Sequence, residues 1–114
     1  MTIALKNLFI GLLTNADVAV YTPAASGINA KINSASVYND DTVDRTVDVF
    51  IVASGGAGAA AASNQIYNDK LVPAKSSLSI DLLIGKNIIG AGSLVSKASQ
   101  TNVITLAVSG VETS

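Results

Sequence analysis

The chain has 114 residues, 49% of them apolar, and a net charge of −1 from seven basic and eight acidic side chains. It contains no histidine, cysteine or tryptophan, which excludes imidazole and thiol chemistry, a disulfide framework and the common zinc ligand sets. A length near the commonest domain size predicts one domain burying roughly 65% of its unfolded surface. Only 13% of residues are charged, against the usual ~25%, as expected where much of a surface meets other protein.

Residues 1–14 carry Ile3, Leu5, Leu8, Phe9, Ile10, Leu12 and Leu13, which fit neither a strand nor a helix period cleanly. They read either as the first strand of a sheet or as an apolar arm packing on a neighbouring subunit, since an exposed arm of this character needs cover. Leu8, Phe9, Ile10 and Leu12 are the candidate contact residues. The apolar centre is short and broken by Gly11, unlike a signal-peptide core. No run approaches the ~20 apolar residues of a spanning helix, so no membrane partner is expected.

Residues 15–114 read as a β domain. Asp17 to Thr22 is a short strand stopped by Pro23. Ile28-Asn-Ala-Lys-Ile32 alternates, but its phase slips before Ala35-Ser-Val37, which predicts a bulge in one long strand. Asn39-Asp40-Asp41 is a turn cluster. In Val43-Asp-Arg-Thr-Val-Asp-Val-Phe-Ile-Val-Ala53 one face carries Val43, Val47, Val49, Ile51 and Ala53, with Arg45 near its open end; the other is polar at first and apolar at Phe50 and Val52. Such a strand needs cover on both sides at its far end, from a second sheet or a neighbouring subunit.

Ser54-Gly-Gly-Ala-Gly-Ala-Ala-Ala-Ala-Ser63 reads as a mobile surface loop, because glycines cost about 1 kcal/mol each in a helix; residues 57–62 are its exposed element. Short strands follow at Gln65 to Tyr67, Leu78 to Leu82, Ser93 to Ala98 and Ile104 to Val108, with turns at 73–77 and 85–87. Glu112 reads as part of a tail. Seven or eight strands at regular spacing predict an all-β, single-domain antiparallel β-sandwich of jelly-roll type.

Few residues offer chemistry. Asp40, Asp41, Asp44 and Asp48 form the best cation candidate, but the calcium-loop spacing and its closing Glu are missing. Gly85-Lys86 lacks the hydroxyl residue a phosphate loop requires and reads as a turn. Ser93 and Lys97 stand four apart, where a Ser-Lys catalytic pair needs three. Tyr21, Tyr38 and Tyr67 fall near strand ends, where each ring is expected to cap the core with its hydroxyl turned to water or backbone. There is no basic footprint for nucleic acid. The residues thus predict no catalytic group, no cofactor and no metal.

The order of segments is informative. Val20-Tyr-Thr-Pro-Ala24 leads to a strand ending Ser36-Val-Tyr-Asn39, then Val47-Asp-Val-Phe-Ile51, a Gly/Ala loop and Asp69-Lys-Leu-Val-Pro-Ala74. The chain closes through Ala98-Ser-Gln-Thr-Asn-Val103 and Val108-Ser-Gly-Val-Glu112. From about residue 15 to 112 this resembles small all-β virion structural proteins of tailed bacteriophages, including head-decoration and tail or fibre components. The resemblance implies a capsid decoration (cement) protein on the head exterior. It also implies a homotrimer seated on the major capsid protein, with no catalytic residues. A tail, baseplate or fibre component is the alternative, and a surface carbohydrate-binding module using Tyr38 and Tyr67 is a third.

Overall fold

Alternation in the sequence becomes nine strands in the computed structural model, which describes residues 2–114. They are β1 (Ile3–Leu12), β2 (Val18–Tyr21), β3 (Asn29–Asn39), β4 (Arg45–Val52), β5 (Gln65–Val72), β6 (Ser77–Ser79), β7 (Asn87–Ile88), β8 (Ser93–Ala98) and β9 (Ile104–Thr113). One sheet runs β1-β9-β3-β6, with β7 also on β3; the other runs β2-β8-β4-β5. Every pairing is antiparallel. With the two-residue β7 set aside, the chain passes back and forth between the sheets, except for the β4–β5 hairpin. This is the wiring of a jelly-roll β-sandwich.

The core follows from the alternation. Ile104, Leu106 and Val108 of β9 and Ala30, Ile32, Ala35 and Val37 of β3 point inward. They meet Val47, Val49, Leu94, Ala98 and Val72 of the second sheet. With no tryptophan and two phenylalanines, the interior is aliphatic, each Val, Leu or Ile contributing roughly 1.5–3 kcal/mol on burial. Within the first sheet, β9 and β3 approach closely at Gly110. A Cβ on Gly110 would lie 2.0 Å from the Lys31 carbonyl oxygen of β3, so only glycine fits there.

Two bulges set which residues face out. The one expected in β3 lies between Ile32 and Ser34. A second, in β1, lies between Asn7 and Phe9 and leaves Leu8 without a partner on β9. It explains why this segment fits no single period: the alternation changes phase halfway.

Four readings need correction. The 78–82 segment is a strand only at β6; Asp81–Leu83 is a 3₁₀ turn. Ile80 and Leu83, three apart and both buried, match its three residues per turn. Asn87, expected in a turn, pairs with Lys31 in β7. Glu112 is no tail residue: it sits in β9, opposite Ala4 and Ala30. The strand expected from Val43 begins at Arg45, and Val43 is exposed.

The Gly/Ala segment supplies the cover that β4 requires. Phe50, Val52 and Val95 form a small apolar cluster on the outer face of the second sheet, packed under Ala57, Ala59 and Ala60. The segment folds into 3₁₀ turns at Gly56–Ala59 and Ala62–Asn64. It enters through Gly55 at φ 94, a left-handed conformation that glycine adopts without strain. Asn64 staples it by donating to the Ala59 carbonyl at 3.0 Å and accepting from the Ala61 N–H at 3.0 Å.

Candidate interaction surface

The outer face of the first sheet is built by register. Across it run the rows Leu5–Val111–Lys31, Asn7–Ser109–Ser34, Ile10–Ala107–Ser36 and Leu12–Thr105–Tyr38, with Ile3 and Thr113 completing one end. On β1 the outward residues are large and uncovered: Ile3 is 63% exposed, Leu5 85%, Ile10 61% and Leu12 51%. The centre of the face is low and small, formed by Thr105, Ala107, Ser109, Val111, Ser34 and Ser36. The Ser34 and Ser109 hydroxyls bond each other at 2.6 Å. Among these outward strand residues Lys31 is the one formal charge.

The four contact residues predicted from sequence separate. Ile10 and Leu12 lie on this face. Leu8, 7% exposed, belongs to the chain's own core, and Phe9 is half-buried against that core. The Phe9 ring lies along Gly11, where an added Cβ would come within 2.9 Å of its Cζ. Their place on the face is taken by Ile3 and Leu5. The alternation Ile3-Ala-Leu5 carried that signal, but the phase change at Leu8 masks it.

On the inner side of the same strands Lys6, Glu112 and Tyr21 form a polar clasp. Lys6 Nζ lies 3.2 Å from Glu112 Oε1, and the Tyr21 hydroxyl donates to Glu112 Oε2. Burial, reinforced by the hydrogen bond to Glu112, pushes the Tyr21 phenol well above its ordinary range. The Tyr21 hydrogen bond and then Lys6 hold the Glu112 carboxyl below the usual carboxylate range. Every group in the clasp is paired within the chain.

The other sequence candidates are dispersed or engaged. Asp41 pairs with Arg45 at 2.7 Å, which lowers its pKa. Asp40 meets Lys75 at 3.1 Å, and Asp44 accepts from the Ala74 N–H at 3.0 Å. Asp48 accepts from the Asp69 N–H at 2.6 Å and faces Lys97 at 3.6 Å. Among the described residues no three His, Cys, Asp or Glu side chains come together as a metal would require. Ser93 bonds Thr22 at 2.9 Å while Lys97 turns to Asp48, so the two do not meet. Tyr67, on the second sheet, accepts from the Leu82 N–H at 3.0 Å. Tyr38 stands at one end of the outer face of the first. The two rings belong to different sheets and form no common platform.

What the surface can do is set by desolvation. Stripping water from charges is costly, whereas apolar and hydrogen-bonded hydroxyl surface gives up water readily. A broad sheet face with one charge and an apolar border is suited to lie against another protein. No protein-family model matches the chain, and no curated protein matches it.

Proposed function

We propose that this protein is a virion structural component of a tailed bacteriophage, a capsid decoration protein that stabilises the head shell by contact alone. The observation that carries the reading is the outer face of the first sheet, charge-poor at its centre and bordered by exposed Ile3, Leu5, Ile10 and Leu12. The jelly-roll wiring supports it at the level of fold analogy, since that architecture recurs in viral coat domains and also in lectins. The segment order from Val20 to Glu112 adds the resemblance to phage head and tail components. In this reading the face lies on neighbouring capsid subunits, and burial of its apolar surface opposes their separation. No bond is made or broken.

The test is reconstitution on shells lacking the protein, with quantification of its copies in intact particles. Saturable binding near capsid stoichiometry is expected, weakened at least about tenfold by Ala107→Lys at the centre of the face, because a buried unpaired ammonium costs more than 1.4 kcal/mol. A few copies per particle would move the protein to the tail or fibre. Absence from particles would end the virion reading.

A further inference from the structure

The border strand β1 has a second property, independent of what the outer face binds. It is an edge: β9 pairs one side of it and, among the described residues, no strand pairs the other. The remaining edges are short or guarded. β2 has four residues, β6 three and β7 two. β5 has eight, but two register shifts interrupt its pairing with β4, Asp69 kinks it at φ 51, and Asp69 and Lys70 are exposed. Such devices are how sheet edges avoid joining other chains. β1 is ten residues long, and its one charge, Lys6, turns to Glu112.

The main chain shows which groups are free. Thr2 and Ser114 exchange both hydrogen bonds, at 3.1 and 3.0 Å, so Thr2 directs its polar groups at the β9 side. By alternation Ile3 and Leu5 direct theirs at the open edge. At the other end Leu13 N–H donates to Ile104 at 2.8 Å, so Leu12 and Ile10 also point outward. The bulge at Leu8 makes this possible: it switches the phase so that odd positions before it and even positions after it share both the outer face and the open edge.

That arrangement is its own complement. In an antiparallel pair centred between Asn7 and Leu8, Ile3 faces Leu12 of a second copy and Leu5 faces Ile10. Ala4 faces Gly11, and Lys6 faces Phe9. Outside the central contact, where outward Asn7 meets buried Leu8, free main-chain groups meet free groups, large apolar residues meet each other and small meets small; Lys6, held by Glu112, stands opposite Phe9. No like charges oppose. A strand of strict alternation would pair outward with inward positions in this register.

We propose that two copies of this chain associate through β1 about a two-fold axis, joining their first sheets into one continuous sheet. The four narrow pairs supply about eight main-chain hydrogen bonds, within the range of a typical specific interface. The two-fold operator makes the contact isologous and closed. It differs from the threefold assembly implied by the resemblance.

The register is tested by cross-linking, because the chain has no cysteine of its own. Opposed residues of a narrow pair have Cα atoms about 5.5 Å apart, within disulfide reach. Leu5→Cys combined with Ile10→Cys is expected to give a covalent dimer on mild oxidation. Leu5→Cys alone is expected to stay uncrosslinked, its two copies lying about 17 Å apart along the strands. Sedimentation equilibrium of the native chain should return twice the mass of one chain. Leu5→Pro removes an open-edge N–H without touching a β9 bond and should raise the dissociation constant at least tenfold. Leu5→Lys serves the same purpose if the proline variant fails to fold by circular dichroism. A native monomer, a native trimer, or a single-cysteine variant that cross-links as readily as the double one would each overturn the proposal. None of these outcomes bears on binding of the outer face to capsid.

Discussion

Tyr21 of β2 donates its hydroxyl hydrogen to Glu112 of β9, residues 91 positions apart that tie one sheet of the sandwich to the other. Hydrogen bonds to a charged partner contribute about 1.5–3 kcal/mol, and Glu112 is partly open to water, which favours the lower figure. Tyr21→Phe keeps the ring and its packing. It is expected to lower stability by about 1.5 kcal/mol, seen as a lower urea midpoint with an unchanged slope.

The same pair predicts opposite limbs of a pH profile. Glu112 binds its proton less tightly in the folded chain, so its contribution is complete above the unfolded value of about 4.3 and is lost as pH falls through the lower folded value. Tyr21 binds its proton more tightly when folded. Its contribution is complete below about pH 10 and is lost as pH rises toward the raised folded value. Urea midpoints measured from acid to alkaline pH should show a plateau with a decline at each end. Tyr21→Phe should reduce both declines; an alkaline limb unchanged in that variant would assign it elsewhere.

Asn39 closes β3 with a fully buried side chain. Its amide donates to the Val43 and Val72 carbonyls at 2.9 and 3.0 Å, and its oxygen accepts from the Asp41 N–H at 2.9 Å. Asn39→Asp keeps the shape but cannot donate to either carbonyl and places a charge in the interior. A loss of about 3 kcal/mol or more is expected, read as a drop in melting temperature on the order of 10 °C.

Position 110 has no room. Gly110→Ala must displace the Lys31 carbonyl of the adjoining strand, and overpacking of this kind costs about 3 kcal/mol or more. Poor expression, or a denaturation midpoint shifted by that amount, is the expected result.

The phase change in β1 can be read by mutation. Leu8→Ala removes a buried core side chain and should cost about 2–3 kcal/mol. Ile10→Ala, two residues on and facing out, should change stability by no more than about 0.5 kcal/mol when measured on the monomer. Equal costs at both positions would contradict the bulge.

The sandwich was legible because period-two alternation survives in β3, β4, β8 and β9, and a single slip in that rhythm placed the β3 bulge. The β1 bulge was not. From Leu8 to Leu13 apolar residues occupy both phases, so alternation carries no record of where the chain changes face. Leu78, Ile80 and Leu82 alternate too, yet Ile80 and Leu83 are the pair that buries, and alternation cannot distinguish a strand from a 3₁₀ turn over so few residues. Which residues face out was half legible for the same reason: of the expected contact residues Ile10 and Leu12 are exposed and Leu8 is buried, while exposed Leu5 was not singled out. The Tyr21–Glu112 clasp joins distant positions, and nothing local to either residue announces it. The need for cover over Phe50 and Val52 was visible in β4; that the Gly/Ala segment supplies it depends on a fold that no local pattern encodes.

The first sheet also dictates an order of events. Its strands β1 and β3 do not touch; β9, the last of the nine, lies between them. Neither can complete its pairing until β9 arrives, so the sheet closes only once the last strand is present. Folding dominated by such distant partners is slow, on the scale of milliseconds to seconds. While a ribosome is still making β9, the apolar β1 waits with both its edges open. The strand proposed to pair with a second copy in the finished molecule is therefore also the segment most exposed to the wrong partner during synthesis.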